Sequence, residues 1–166
     1  MPDLIRLGER EFERLFGAAE GSLPHACREL AGTFDFGLRV LEGGERDRLI
    51  ADLLRRIHDP GLATSGAERQ ADWVAGWAQN LARFESSGGD PASLVPLYFK
   101  AREPVRLEGR YCMPLAEHFY LRYTDLFRHW LFRRYFCELP ALYEFGCGSC
   151  AHLAFQIGRA SCRERV

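Results

Sequence analysis

The sequence predicts a mostly α-helical chain followed by the first strand of an α/β domain. Apolar residues recur at helical spacing over residues 45–58 and again over residues 117–136. Proline and glycine interrupt the chain between these stretches, so the helices are separate elements. A short apolar strand at 141–145 then leads directly into the glycine turn at 146–148.

The first half of the chain reads as a series of amphipathic helices. Residues 3–19 predict one or two short helices, and residues 26–41 predict another. The segment 45–58 is the clearest early helix, because aliphatic residues share one of its faces, namely Leu49, Ile50, Leu53, Leu54 and Ile57. Ser65 and Glu68 have the spacing of a capping box for the next helix. That helix carries a stripe of aromatic and aliphatic residues, which we expect to pack against another helix. The stripe consists of Trp73, Trp77, Leu81 and Phe84.

The second half begins at a polar, turn-forming linker, Ser-Ser-Gly-Gly-Asp-Pro, at residues 86–91. Prolines prevent a long helix before residue 114, and residues 105–107 predict a short extended segment. Residues 117–136 then predict a strong helix with a wide aromatic face, which suits packing against the sheet of the next domain.

These elements divide the chain into four segments. Residues 1–85 form a helical N-terminal region, and residues 86–137 form the linker and the aromatic helix. Residues 138–155 begin the α/β domain. The last eleven residues, 156–166, read as the translation of a common sequencing adapter, so we set them aside as non-native. We therefore expect an N-terminal fragment of a longer protein.

Composition argues against several classes of partner. The formal net charge is −1, and setting aside a tail with three Arg and one Glu makes the remainder more acidic. This charge indicates no nucleic-acid partner. No apolar run has the roughly 20 residues of a membrane helix, and no signal peptide is evident, so we expect a cytoplasmic protein without a membrane partner. Irregular spacing predicts reduced thiols at Cys27, Cys112, Cys137, Cys147 and Cys150.

The turn Gly146-Cys147-Gly148, placed after Glu144-Phe145, has three interpretations as a site; the alternative is a purely structural turn at the end of a helical interaction module. One is an S-adenosylmethionine site, in which the strand-end carboxylate organises the loop and the glycines admit the cofactor. A second is an NAD(P) or FAD site, because 146–151 also satisfies G-x-G-x-x-A. The third is a redox or metal pair formed by Cys147 and Cys150. That pair lacks the second half of a zinc site, so we expect no metal.

Residues 142–149, Leu-Tyr-Glu-Phe-Gly-Cys-Gly-Ser, resemble the first motif of class I S-adenosylmethionine-dependent methyltransferases. Residues 94–100 and 127–132 are similar to the N-terminal part of poorly characterised bacterial members of that superfamily. The resemblance implies a Rossmann-like domain with S-adenosyl-L-methionine as cofactor. It implies a cofactor-binding role for Glu144, Phe145, Gly146, Cys147 and Gly148. The chain departs from the family at Cys150, where a third glycine is usual.

The resemblance leaves the rest of the site open. A small molecule or a glycan is the expected methyl acceptor, and a homodimer is possible. The catalytic residues would lie beyond the fragment, which we expect to be inactive. His118 and His129 are candidates for a base, although an exposed or capping role is favoured for each. Tyr111, Tyr120 and Tyr123 are candidates for cofactor or acceptor contacts, although core packing is favoured for each.

Overall fold

The fold is known for residues 3–59, 61, 66–97 and 101–136, which a computed structural model describes. This part is mostly helical (59%), which confirms the predicted helical character. The start of the Rossmann-like domain at 138–155 lies outside the described residues, so it stays a prediction.

The described elements alternate between a small sheet and the helices around it. The strands are β1 (Leu4–Arg6), β2 (Gly37–Val40), β3 (Val105–Leu107) and β4 (Arg110–Pro114). The helices are α1 (Glu9–Phe16), α2 (His25–Gly32), α3 (Gly43–His58), α4 (Gly66–Ser86) and α5 (Phe119–Tyr135), with a 3₁₀ helix at Pro91–Leu94.

The sheet is antiparallel throughout, with the strand order β1-β2-β4-β3. Its central pair brings Leu38 opposite Pro114 and Val40 opposite Cys112. The sheet therefore joins strands from both sides of the predicted linker at 86–91.

A tight hairpin connects β3 to β4. Its two-residue turn has positive φ at Glu108 (48°) and Gly109 (81°), as a type I′ turn requires. The carboxylate of Glu108 is ion-paired with Arg14 of α1, so the hairpin is also tied to the first helix. The predicted extended segment at 105–107 is confirmed as β3.

The core is an aromatic cluster between β2, α1 and α5. The Phe12 ring of α1 is fully buried and meets Phe36 edge-on, with centroids 4.9 Å apart. Phe36 in turn packs edge-on against Phe119 of α5, at 5.7 Å. Leu38 and Cys112 provide the buried floor from the two central strands.

Two of the predicted helices were wrong in part. Within 3–19, Leu4–Arg6 is a strand and only Glu9–Phe16 is helical. Within 26–41, α2 ends at Gly32 and residues 37–40 form β2. Residues 34–40 alternate apolar and non-apolar side chains, and this period of two is a strand signal that the helical interpretation overlooked.

Helices α3 and α4 lie largely outside the core. The predicted helix at 45–58 is confirmed, yet α3 has no buried residue and Ile57 is 71% exposed. On α4, the buried Asn80 donates from Nδ2 to the carbonyl oxygens of Leu94 and Val95, at 3.2 and 3.1 Å.

The predicted packing stripe of α4 is only partly covered. Trp73 contacts Trp77 edge-on, with ring centroids 5.9 Å apart, but Trp73 and Leu81 remain exposed. Ser65 of the predicted capping box lies outside the described residues.

A bidentate ion pair ties the start of α3 to the sheet. Both terminal nitrogens of Arg39 on β2 donate to the Glu45 carboxylate, each at 2.7 Å. These hydrogen bonds lower the pKa of Glu45 from its ordinary value, against an opposing effect of desolvation, and raise the pKa of Arg39.

Core burial predicts a sharp difference between two leucines that both lie on helices. Leu126 of α5 is 0% exposed and Leu54 of α3 is 50% exposed. Leu126→Ala should lower the free energy of unfolding by about 2–5 kcal/mol, because it opens a cavity. Leu54→Ala should change it by about 0.5 kcal/mol or less. Urea unfolding measures both, and equal losses would contradict the described core.

The Arg39–Glu45 pair predicts a pH effect. Because the folded-state pKa of Glu45 lies below its unfolded value, the pair stabilises the fold above the unfolded pKa. That contribution is lost as the pH falls through the folded pKa. In a carbon-NMR titration, Arg39→Gln should raise the pKa of Glu45 toward its ordinary value, whereas Arg56→Gln should leave it in place. An unchanged titration in Arg39→Gln would count against the pair.

Candidate functional site

The predicted cofactor loop lies outside the described residues. This holds for all its members, Glu144, Phe145, Gly146, Cys147 and Gly148, and for Cys150. Their assignment to S-adenosylmethionine therefore stays a prediction.

Of the two candidate histidines, one directly precedes α5 and the other lies within it. His118 precedes its first turn in a left-handed conformation (φ 64°), and its backbone N–H donates to the carbonyl oxygen of Ala101 at 2.7 Å. Its Nδ1 is buried and has no hydrogen-bond partner among the described residues. His129 is buried on the same helix, three turns further on. The expected exposed position is therefore wrong for His129.

The three candidate tyrosines occupy different environments. Tyr123 packs in the core and stacks on Phe119, with centroids 6.1 Å apart, and burial raises the pKa of its hydroxyl. Core packing is thus confirmed for Tyr123. Tyr111 of β4 is half-buried beneath the Arg106 guanidinium, at 5.8 Å. Tyr120 is exposed, so core packing is wrong there.

The cysteines that the structure describes are Cys27 and Cys112; both are buried, and they form no disulfide bond within the described residues. Burial raises the pKa of the Cys112 thiol, which disfavours the reactive thiolate. The described ranges bring together no group of three or more His, Cys, Asp or Glu side chains able to hold a metal.

A concave site does occur where the α1–α2 loop meets the last turns of α5. We call it the loop–α5 cleft. Its volume is about 280 Å³, and its lining consists of Gly17, Ala18, Ala19, Ser22, Pro24, Trp130, Arg133 and Arg134.

Local hydrogen bonds shape the loop side of this cleft. Gly17 ends α1 in a left-handed conformation (φ 67°), which glycine adopts without steric cost. The buried Glu13 carboxylate accepts the Leu23 N–H at 3.0 Å, and Ser22 Oγ donates to the carbonyl oxygen of Ala19 at 2.5 Å. Hydrogen bonds within residues 13–23 therefore fix the conformation of the loop, and the loop presents small side chains to the cleft.

The α5 side supplies an aromatic floor and two positive charges. Trp130 is buried against Phe16 and Phe127, with centroids at 5.2 and 5.8 Å. Arg133 is half-buried, and the exposed Arg134 lies 5.8 Å over the Tyr135 ring. Neither guanidinium forms an ion pair with a carboxylate of the described residues, and Glu20 of the loop pairs with Arg10 instead.

A second, shallower concavity beside β1 and α2 has its charges already paired. It has a volume of about 510 Å³. Arg6 contacts Asp35 there at 3.4 Å, and the Glu11 carboxylate accepts the Gly8 N–H at 2.9 Å. The loop–α5 cleft is the better candidate because neither of its guanidinium groups is ion-paired with a carboxylate of the described residues.

Sequence reasoning missed the loop–α5 cleft. It assigned no role to Arg133 or Arg134. No local pattern indicates that residues 17–24 would pack beside it, since more than 100 residues separate the two. The described residues that line the cleft include none of the candidate histidines and tyrosines.

No helix within the described ranges is both long and apolar enough to cross a lipid bilayer. Comparison of the chain with protein-family models, with curated proteins and with solved structures found no match.

Proposed function

We propose that this chain is the N-terminal part of a class I S-adenosylmethionine-dependent methyltransferase. The observation that carries the proposal is the motif at residues 142–149, in which a strand-end Glu144 precedes the turn Gly146-Cys147-Gly148. The proposal rests on the sequence, and the described fold is compatible with it as an N-terminal extension.

Each residue of the motif has a role in this proposal. Gly146 and Gly148 let backbone N–H groups approach the cofactor where a Cβ would collide. The Glu144 carboxylate faces the cationic end of the cofactor, and Phe145 and Cys147 line the loop. Cys150 stands where the family usually has a third glycine. In the proposed enzyme its side chain would therefore reduce the space that the loop leaves for the cofactor.

The position of α5 supports a role for the helical part near the cofactor. Seven residues separate the end of α5 at Tyr135 from Tyr143. A fully extended chain spans about 3.5 Å per residue, so Tyr143 of the motif lies within about 28 Å of that helix end. In the proposed enzyme, the N-terminal elements shape the acceptor site or a dimer contact.

The reaction would pass the sulfonium methyl group in line to a nucleophilic atom of a small-molecule or glycan acceptor. The acceptor loses a proton, and S-adenosylhomocysteine leaves. S-adenosylmethionine supplies the reactive carbon when bound, and the protein contributes positioning and acceptor deprotonation. We assign no described residue as the catalytic base.

A helical interaction module is the second candidate. The observation that favours it is the exposed apolar surface of α3 and α4, on which Leu53, Leu54, Ile57, Trp73 and Val74 face solvent. A contiguous exposed apolar patch marks a surface that binds another protein, and Leu53, Leu54 and Ile57 share one face of α3. On this view the glycine turn is only a structural loop.

Cofactor binding tests the first candidate. The complete reading frame of the gene should bind S-adenosylmethionine in isothermal titration calorimetry. Gly148→Val should weaken binding by at least about tenfold, because the new side chain occupies the cofactor's path. Gly66→Val is the matched control, since no described atom outside the neighbouring backbone lies within 4 Å of a Cβ at that position. Residues 1–155 alone should not bind. Absent binding by the folded complete product would reject the proposal.

The genomic sequence beyond Phe155 separates the two candidates. A methyltransferase requires alternating strands and helices there, with an Asp or Glu at the end of the second strand to bind the ribose hydroxyls. A stop codon soon after Phe155 would instead favour the interaction module. Residues 1–137 should then unfold in one cooperative transition.

A further inference from the structure

We propose that the loop–α5 cleft binds a small ligand in which a phosphate or carboxylate group is attached to a flat apolar ring. This inference rests on the residues of the cleft and is independent of the proposed methyltransferase activity.

The charge of the cleft is the first argument. Arg133 and Arg134 both line it, and neither has a carboxylate partner in the described part of the chain. Guanidinium groups match the geometry of phosphate and carboxylate oxygens, with which they form paired hydrogen bonds. A half-buried guanidinium without a counter-ion is a favourable place for such an anion, because the surrounding protein limits screening by water.

The helix dipole alone does not explain this arrangement. Basic residues in the last turn of a helix offset the negative potential of its terminal carbonyl groups, and Arg133 and Arg134 occupy that turn of α5. That effect requires no particular direction of the side chains. In this structure both arginines line the same concavity, opposite a loop whose Glu20 is engaged by Arg10.

The shape of the cleft is the second argument. Gly17, Ala18 and Ala19 have little or no side chain, so the loop leaves open space above Trp130. The indole is fixed by its contacts with Phe16 and Phe127, and it offers a rigid apolar floor. A volume of about 280 Å³ lies just below the usual range for ligand pockets, which begins at about 300 Å³. A single ring with one anionic group suits that volume.

Phenyl phosphate is a direct probe of the proposal. Titrated into the isotopically labelled 166-residue chain, it should shift the Trp130 indole N–H resonance saturably, and Trp130→Phe identifies that resonance. Inorganic phosphate should bind more weakly because it lacks the ring. Phenol, which lacks the charge, should cause no saturable shift up to about 10 mM.

Variants of the cleft test separately the contribution of the two arginines and that of the open space above Trp130. Combining Arg133→Gln with Arg134→Gln should weaken phenyl phosphate binding by at least about tenfold. Arg122→Gln is the control for each single arginine variant, because it removes one positive charge from α5 about 16 Å from Arg133 along the helix axis. Ala19→Phe should also block binding, since it fills the cleft while leaving both arginines in place.

Specific results would overturn the proposal. These are the absence of a saturable shift with phenyl phosphate, or equal binding by the double arginine variant and the unsubstituted chain. Equal binding of phenol and phenyl phosphate would exclude the anion site. Equal binding of inorganic phosphate and phenyl phosphate would exclude the ring site. Circular dichroism of each variant confirms that it is folded before its binding is compared.

Discussion

The buried contact of Phe12 with Phe36 is the interaction on which the rest of the described structure depends. It joins α1 to the segment that leads into β2, and Phe36 also packs against Phe119 of α5. Residues more than 100 positions apart thereby share one core. Without this aromatic packing, the short strands would have little apolar surface to stabilise their pairing, because an isolated small sheet is marginal in water.

The same core gives the loop–α5 cleft its rigidity. Phe16, at the end of α1, packs on Trp130, so the loop that follows α1 is placed directly beside the last turns of α5. The buried Glu13 carboxylate then holds the far end of this loop through the Leu23 N–H. Sites supported in this way keep their shape without a ligand, which lowers the entropic cost of binding. Helices α3 and α4 lack such support, and their apolar faces remain exposed.

Sequence patterns predicted the longer helices well, because each carries several turns of periodic apolar residues. Helices α3 and α5 begin and end within two residues of the predicted bounds. The strands were harder. β1 and β3 have three residues each, too few to establish a period, and β2 was absorbed into a predicted helix despite the alternation from Phe34 to Val40. The hairpin turn at Glu108 and Gly109 also escaped notice, although glycine commonly occupies the second position of a type I′ turn.

The sequence by itself determined the helical character of the chain, the buried aromatic face of α5 and the glycine motif after it, because these depend on neighbouring residues. Tertiary structure alone decided that strands from both sides of residue 86 share one sheet, and that Tyr120 is exposed while Tyr123 is buried. It alone also brought Arg133 and Arg134 to the loop that follows α1. These outcomes depend on which distant apolar surfaces pack together and exclude water. The local periodicity of the sequence does not specify these packing partners.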